Sequence, residues 1–330
     1  MAFHGFMLLR DEEDVIQQNL DHLLTWVDGL YILDLGSTDR TWEIVQDYAR
    51  REKRIIPFEH APIVYSDNLR SYMFHHLRNR LRHGDWVLRL DADEFYHVPP
   101  PQFVQERMTK HESAVHLQWY FFRLTHQEVA DYESGRVDVM ADRQRSIIER
   151  RRYYKISDYA EPRMFRYRRT MQWPETISFP FNAGYVARER IPILHYPHRD
   201  PLQMARRYRL RAEMMKLKAA AGGHWKLDDW RQDVVDDVGG SEAQSRKVGI
   251  ADSSLVDSGP LLHWTPGTPL TESPRYNHVR PVRQRVATRL LYATGVSLLD
   301  LRRPRFDASF KPQYLSEETN ALIGRMSAQE

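Results

Sequence analysis

The sequence predicts an α/β protein with a mixed, mostly parallel sheet that is flanked by helices and followed by a largely helical C-terminal extension. Over the first hundred residues, short apolar runs alternate with segments of helical periodicity, which is the pattern of a parallel sheet. The apolar runs are continuous rather than alternating, as expected for strands buried on both faces. With 330 residues and 42% hydrophobic content, the chain can build a sizeable core.

The elements of the N-terminal part can be placed in order. The predicted strands are the runs FHGFMLL, GLYILD, RIIPFEH and WVLRL. Between the first two, apolar residues at Ile16, Leu20, Leu23 and Leu24 have helical spacing. A second helix is predicted after a cap at Asp39, and a third precedes the turn at Gly84.

The later part of the chain is less regular. SAVHLQWYFFRL, RMFRY and IPILHY are strand candidates, and the polar stretch 125–152 is predicted to be an insertion. A well-marked helix is expected from a cap at Asp200, with Pro201 in its first turn, to Gly222 and Gly223. Its many basic residues indicate a solvated face, or alternatively a surface for anionic lipid or a phosphorylated acceptor.

Composition excludes several classes of protein. The net charge is only +3 with mixed signs, so no nucleic-acid stripe is indicated. The absence of cysteine excludes a disulfide framework and thiolate sites, and it fits a reducing compartment. We see no signal-peptide pattern and no run of the roughly 20 apolar residues that a membrane span needs. We expect a cytoplasmic protein, with peripheral contact at the inner membrane face left open.

Acidic residues follow two of the predicted strands. Asp34 ends one run and Asp91 ends another, and ligands bind at the carboxyl ends of strands in open parallel sheets. Asp91 and Asp93 are two residues apart, so they can address one ligand from the same side. Clustered carboxylates need compensation, which Mg²⁺ or Mn²⁺ with substrate phosphates can provide. The alternative is a solvated turn at Asp93 and Glu94, which the preceding buried strand disfavours.

The stretch LGSTDRT follows Asp34 at the predicted start of a helix, where phosphate or ribose contacts are common. Neither the glycine fingerprint of dinucleotide binding nor the P-loop pattern occurs there. The ligand is therefore not expected to be NAD, and a P-loop NTPase is not indicated.

Four stretches in order, LLRDEEDVIQQNLDHLL, LDLGSTDRTWEI, HHLRNRLRHGDWVLRLDADEF and ILHYPHRDPLQMARRY, resemble the successive motifs of family 2 glycosyltransferases. The resemblance covers roughly residues 5–100 and is thinner over 160–210. It implies a GT-A-type, Rossmann-like domain over 1–200, with a nucleotide-binding half (about 1–100) and an acceptor half (about 101–200). Residues 201–330 would form a helical or irregular extension.

The resemblance also implies contacts to the nucleotide. Asp34 would hydrogen-bond the nucleobase, Arg10 and Glu12 would border the nucleotide pocket, and Asp39 would lie beside it. The family more often has Asn-Glu in place of Asp11-Glu12 and a second Asp in place of Leu35.

Further implied residues concern the diphosphate and a metal. Arg78 would approach the diphosphate, Asp91 would bind ribose, and Asp93 would bind a divalent Mn²⁺ or Mg²⁺ that bridges the diphosphate. His195 would add a metal or diphosphate contact. The donor would be a nucleotide-diphosphate sugar.

The resemblance implies inversion at the anomeric carbon by direct displacement, which requires a base for the acceptor hydroxyl. Glu175, beside Trp173, is our preferred candidate, followed by Glu161 and then Asp131. For either glutamate, a surface ion pair is an equal alternative.

The predicted function is a metal-dependent, inverting glycosyltransferase of polysaccharide or glycoconjugate synthesis, with a glycan, lipid-linked or protein acceptor and no nucleic-acid partner. One alternative is a nucleotidyltransferase, although its Gly-rich, basic first loop is replaced here by RDEEDV. A second alternative is a non-catalytic sugar-binding relative, which the aromatic content would suit.

Overall fold

The computed structural model describes residues 1–157, 159–216, 229–236, 260–271 and 282–328. Its strands are β1 (Phe3–Leu9), β2 (Gly29–Asp34), β3 (Ile55–His60), β4 (Trp86–Asp91), β5 (Glu94–Tyr96), β6 (Ala114–Arg123), β7 (Tyr153–Ile156), β8 (Pro162–Arg166), β9 (Ile191–His195) and β10 (Leu262–His263).

The α-helices of the described residues are α1 (Ile16–Leu23), α2 (Thr41–Arg51), α3 (Leu69–Leu77), α4 (Pro100–Arg107), α5 (His126–Glu133), α6 (Val139–Arg143), α7 (Ile147–Arg150), α8 (Pro201–Lys216), α9 (Val282–Thr294), α10 (Leu298–Leu301) and α11 (Glu317–Ala328). Within the described part of the chain, none of them is long and apolar enough to cross a membrane.

One ten-stranded sheet runs through the molecule in the order β10-β7-β6-β8-β4-β1-β2-β3, with β5 and β9 joined to it beside β6. The strands β3, β2, β1 and β4 are parallel neighbours, and β1, β2 and β4 are buried almost throughout. This confirms the predicted α/β class and the four N-terminal strands. The sheet is mixed because β8 and β7 run antiparallel to their neighbours, whereas β9 is parallel to β6.

The turn after β2 requires a glycine. Gly36 has a φ of +82°, and a Cβ there would lie 2.7 Å from the Cα of Pro62. The Asp34 carboxylate closes this turn, because it accepts hydrogen bonds from the backbone N–H groups of Gly36 and Ser37. The predicted cap at Asp39 is displaced by one residue: Arg40 occupies the cap position, and Asp39 accepts from the backbone of Thr41 at 2.9 Å.

The polar stretch 125–152 is not an irregular loop but contains α5, α6 and α7. It is tied to α8 by buried ion pairs, among them Arg143 with Asp200 at 2.8 Å. Asp200 caps α8 as predicted, because its carboxylate accepts a hydrogen bond from the backbone N–H of Gln203 at 2.9 Å. The predicted end of this helix at Gly222 and Gly223 lies outside the described residues.

The C-terminal part packs on the sheet rather than apart from it. β10 pairs with β7, and Tyr314 forms an isolated bridge with Ile63 after β3. At the start of α10, Asp300 is fully buried and forms a two-contact ion pair with Arg168, at 2.6 and 2.8 Å. This pair fixes the α9–α10 corner to the body of the molecule.

The Arg168–Asp300 pair gives a stability prediction. Arg168→Ala should lower the free energy of unfolding by about 3–5 kcal/mol, because it leaves a buried carboxylate without its charged partner. Chemical denaturation of the full chain measures this, with Arg169→Ala at the exposed neighbouring position as the control. A loss below about 1 kcal/mol would contradict the anchoring role.

Candidate functional site

A cavity of about 340 Å³ lies at the carboxyl ends of β1, β2 and β4. Leu8 and Leu9 from β1, Leu35 after β2 and Asp91 at the end of β4 line its floor. This is the edge at which ligands bind in open parallel sheets. Residues of β6, β8, β9 and α8 complete the wall, so both halves of the sheet contribute.

Part of the cavity lining is apolar. Its side chains come from β1, from the segments after β2 and β3, and from α8, and they are Leu8, Leu35, Ile63, Tyr65, Leu210 and Met214. A flat apolar ring system would be desolvated at such a surface with little polar cost.

The Asp91 carboxylate lies between two buried guanidinium groups. It accepts hydrogen bonds from Arg70 of α3 and, at 2.9 Å, from Arg163 of β8. Both arginine side chains are at most 2% exposed. Burial raises the pKa of the Asp91 carboxyl, but Arg70 and Arg163 outweigh it, so that its pKa lies below the usual value.

Asp93 has a different set of cations. Arg207 of α8 donates to it at 3.0 Å, the Nε2 atom of His195 lies 3.6 Å away, and Arg199 lies 3.8 Å away. Burial raises the pKa of the Asp93 carboxyl, but His195 and Arg207 lower it further, to well below its usual range. Both carboxylates line the cavity as predicted, yet each is held by its own guanidinium groups.

This arrangement does not fit the divalent metal expected at Asp93 and His195. Among the described residues, no group of three or more His, Asp or Glu side chains is placed to hold a metal ion. Both oxygens of Asp91 accept from arginines, and Asp93 accepts from Arg207. Guanidinium groups therefore supply the charge compensation that the sequence attributed to a metal.

Glu94 is a buried acid, only 1% exposed, so the alternative of a solvated turn at Asp93 and Glu94 does not hold. Its carboxylate accepts from Arg163 and, at 2.6 Å, from the indole N–H of Trp119. Burial raises the pKa of the Glu94 carboxyl to about 7, against the opposing effect of Arg163.

Another part of the cavity lining combines aromatic rings with an acid. Trp119 and Tyr159 stack with ring centroids 5.2 Å apart. Glu161 accepts from the Tyr159 hydroxyl at 2.9 Å and pairs with Arg89 and Arg163 at 3.0 and 3.1 Å. Burial raises the pKa of the Glu161 carboxyl, but the two arginines lower it by more, so the group stays ionised at neutral pH.

The loop after β1 carries the other two predicted residues that reach the cavity. Arg10 lines it and donates to the backbone of Leu35 at 2.8 Å and to Asn320 of α11 at 3.0 Å. Glu12 also lines it and accepts from Arg199 at 2.5 Å. Burial raises the pKa of the Glu12 carboxyl to about 7.

Four predicted site residues lie elsewhere. Asp34 is buried beneath the cavity, where it also contacts His60 at 2.9 Å. Asp39 borders a smaller neighbouring depression and pairs with Arg206 at 3.3 Å. Arg78 donates to the backbone of Arg169, and Glu175 accepts from the backbone of Asp307; neither lines the cavity. The structure thus brings Glu161, and not Glu175, to the carboxylate cluster.

Sequence reasoning predicted Arg10 but missed the other arginines of the cavity, which are Arg89, Arg163, Arg207 and Arg211. Arg207 and Arg211 lie one helical turn apart on α8, in the basic stretch that the sequence indicated as a solvated face. Arg163 lies on β8, in the strand candidate RMFRY. A charged residue inside an apolar strand was the available signal for Arg163, because lone charges are rarely buried without a partner.

Comparison with protein-family models and with curated proteins finds no match. Solved structures similar to parts of the chain include residues 1–349 of S. aureus TarS with UDP-GlcNAc, at 18% identity over 37% of this chain and 34% of that chain, with a TM-score of 0.27. Another is the Pyrobaculum calidifontis mannosyltransferase PcManGT with GDP-Man and Mn²⁺, at 14% identity over 40% and 37%, with a TM-score of 0.29.

A mycobacterial protein is similar at 22% identity over 37% of this chain and 41% of that chain, with a TM-score of 0.25. The chain thus matches only about two fifths of these structures or less. The roles of individual residues are therefore argued from the cavity itself.

The raised pKa of Glu94 gives a pH prediction. The folded protein holds this proton more tightly than the unfolded chain, whose usual pKa is 4.5, so the stability that Glu94 contributes is lost as the pH rises towards 7. Relative to wild type, Glu94→Gln should gain about 2 kcal/mol in unfolding free energy between about pH 5 and pH 8.

Denaturant unfolding across this pH range measures that difference. The exposed variant Glu43→Gln is the control, and it should keep a constant offset from wild type. A constant offset for Glu94→Gln would instead show that Glu94 is ionised throughout.

Proposed function

We propose that the cavity binds a nucleotide-diphosphate sugar and that the protein transfers the sugar to a hydroxyl acceptor. The observation that carries the proposal is the combination of surfaces that line one cavity: apolar side chains, arginines, and aromatic rings with acids. These surfaces match the base, the diphosphate and the sugar of such a donor. The resemblance of four sequence stretches to glycosyltransferase motifs supports the same reaction class.

In this proposal the nucleobase lies against the apolar part of the lining. Leu35 stands where the resembled family often has an acid, so base recognition would depend more on apolar contact here than on a carboxylate. Arg10 also lines the cavity, and it is oriented by the backbone of Leu35 and by Asn320 of α11. Asp34 would act indirectly, because it shapes the turn that carries Leu35 and Gly36.

The diphosphate would lie against Arg207 and Arg211. Burial and, to a smaller extent, the neighbouring Arg207 lower the pKa of Arg211 to about 9. An anion bound between the two guanidinium groups would relieve their mutual repulsion. A guanidinium has five N–H donors, so Arg207 can bind a phosphate while it keeps its hydrogen bond to Asp93. Preorganised cations of this kind stabilise the charge that develops on the leaving diphosphate as the glycosidic bond breaks.

The acceptor would approach from the side of Trp119 and Tyr159, with Glu161 as the group that takes the proton of the attacking hydroxyl. Among our candidate bases, only Glu161 lines the cavity. Its lowered pKa keeps it ionised, as an acceptor of protons must be. Attack by the acceptor oxygen on the anomeric carbon then displaces the nucleoside diphosphate and inverts that carbon.

The diphosphate contact can be tested by a thermal-shift screen with nucleoside diphosphates. At least one should stabilise the wild type, and Arg207→Gln should weaken its binding by about tenfold or more, because a charge-assisted hydrogen bond is lost. Arg209→Gln, at an exposed position on the same helix, is the matched control and should bind like wild type. If Arg207→Gln binds the nucleotide as tightly as wild type does, Arg207 does not contact the diphosphate.

The base can be tested with whichever donor is identified. Glu161→Gln should lower the transfer rate by about 10²–10⁴-fold while the nucleotide affinity changes little. Glu175→Gln should retain wild-type transfer, since its side chain contacts the backbone of Asp307 instead. The opposite pattern, with Glu175→Gln inactive, would restore the assignment that the sequence favoured.

Failure of every nucleotide to bind, together with metal-free binding of a free sugar, would support the sugar-binding alternative. Release of pyrophosphate from a nucleoside triphosphate and a sugar phosphate would support the nucleotidyltransferase alternative.

A further inference from the structure

An exposed apolar surface covers the α9–α10 corner. Along α9, Val282 and Leu290 are 73% and 59% exposed, and Leu298 of α10 is 69% exposed. We call this set the α9–α10 surface; its seven side chains are Val282, Val286, Leu290, Val296, Leu298, Leu299 and Leu301. Soluble proteins expose single apolar residues routinely, but contiguous groups of this kind mark interaction sites.

The helical spacing places these residues on the outer side of the corner. Val282, Val286 and Leu290 recur every four residues, which is one face of a helix. The inner side is made by Leu291, whose side chain is 8% exposed, and by Tyr292, whose hydroxyl donates to the backbone of Arg166 at 2.9 Å. The apolar face therefore points away from the body of the protein.

Buried contacts hold this corner in place. Asp300 is paired with Arg168 and accepts from the Thr170 hydroxyl at 3.1 Å, and the Asn182 amide donates to Ser297 at 3.3 Å. A frayed chain segment would not be anchored by a buried ion pair such as Arg168–Asp300. The corner is fixed, and its exposed leucines are presented at a defined position.

The charge of this segment is strongly one-sided. Between residues 282 and 305 the sequence has six arginines and a single acid, Asp300, which is neutralised by Arg168. Arg302 and Arg305 are exposed directly after α10. Asp307 is exposed two residues after Arg305, so the arginines of this border outnumber its exposed acids. Aliphatic side chains bordered by an excess of arginines are typical of surfaces that bind the interface of an anionic membrane.

The same charges argue against a second copy of this chain as the occupant. In a two-fold symmetric dimer the surface would face itself, and the arginines of both copies would lie close together. Neutral or mixed-charge borders would suit self-association better. An anionic lipid surface instead compensates these arginines and receives the leucines.

We propose that the α9–α10 surface docks the protein on an anionic lipid bilayer, with the leucines inserted at the headgroup boundary and Arg302 and Arg305 against lipid phosphates. The surface lies near the amino end of β4, since α9 contacts Arg166, which pairs with Trp86. The cavity lies at the opposite end of that strand, so docking leaves its mouth free. The proposal does not depend on glycosyl transfer.

Co-sedimentation of the full chain with vesicles tests this. The protein should bind vesicles of phosphatidylcholine with about 30% phosphatidylglycerol more tightly than pure phosphatidylcholine. Arg302→Gln/Arg305→Gln should weaken binding by roughly fivefold for each arginine. Leu298→Gln/Leu299→Gln should weaken it by on the order of tenfold for each leucine.

Matched variants on other surfaces separate the effect from general charge or hydrophobicity. Arg40→Gln/Arg50→Gln removes two arginines that are 70% and 72% exposed, and Met140→Gln/Leu322→Gln removes two exposed apolar side chains. Both should bind vesicles like wild type and should keep its thermal stability.

Three results would overturn the proposal. The first is equal binding to neutral and anionic vesicles, or no binding, at about 0.1 M salt. The second is a wild-type dimer in light scattering that Leu298→Gln/Leu299→Gln converts to a monomer, which would identify a second copy as the occupant. The third is a loss of more than about 5 °C in Tm for that variant, which would show that the leucines are covered within the protein.

Discussion

Buried pairing of carboxylates with arginines at the end of β4 is the constraint on which the rest of the site depends. Asp91, Asp93 and Glu94 come within four residues; the side chains of Asp93 and Glu94 are 5% and 1% exposed, and that of Asp91 is 29% exposed. Their partners arrive from separate elements, namely Arg70 from α3, Arg163 from β8 and Arg207 from α8. Because an unpaired buried charge costs several kcal/mol, these pairs fix where the three elements can lie. The cavity wall is thus a consequence of charge compensation as much as of hydrophobic packing.

The same pairing leaves the cavity with a functional asymmetry. The carboxylates neutralise part of the arginine charge, and α8 contributes two arginines, Arg207 and Arg211, to the cavity lining. Towards β8, Glu161 and the stacked rings of Trp119 and Tyr159 present an acid and an aromatic surface instead. A ligand with an anionic centre and a hydroxyl-rich end matches this polarity. In the proposed complex, the arginines would bind the anion without a separate cation.

Local patterns were sufficient to predict the strands β1 to β4 and the acids at their ends, because continuous apolar runs and strand-to-turn acids are encoded within a few residues. The partners of those acids were not predictable in this way: Arg163 is 72 positions from Asp91, and Arg207 is 114 positions from Asp93. Glu161 reaches the cavity because β8 runs antiparallel to β4, whereas Glu175 follows a later turn. The expected metal rested on the spacing of the carboxylates and on the family resemblance, neither of which contains the guanidinium partners of Asp91 and Asp93. The exposed face of α9 also depends on which side packs against the sheet.

The most direct test of this account is calorimetric titration of the full chain with nucleoside diphosphates, once in EDTA and once with Mn²⁺. If arginines compensate both the carboxylates and the diphosphate, at least one nucleotide should bind in EDTA, with an affinity within about threefold of that in Mn²⁺. Binding that appears only with Mn²⁺ would contradict the account. It would show that Asp93 exchanges Arg207 for a metal when the donor enters.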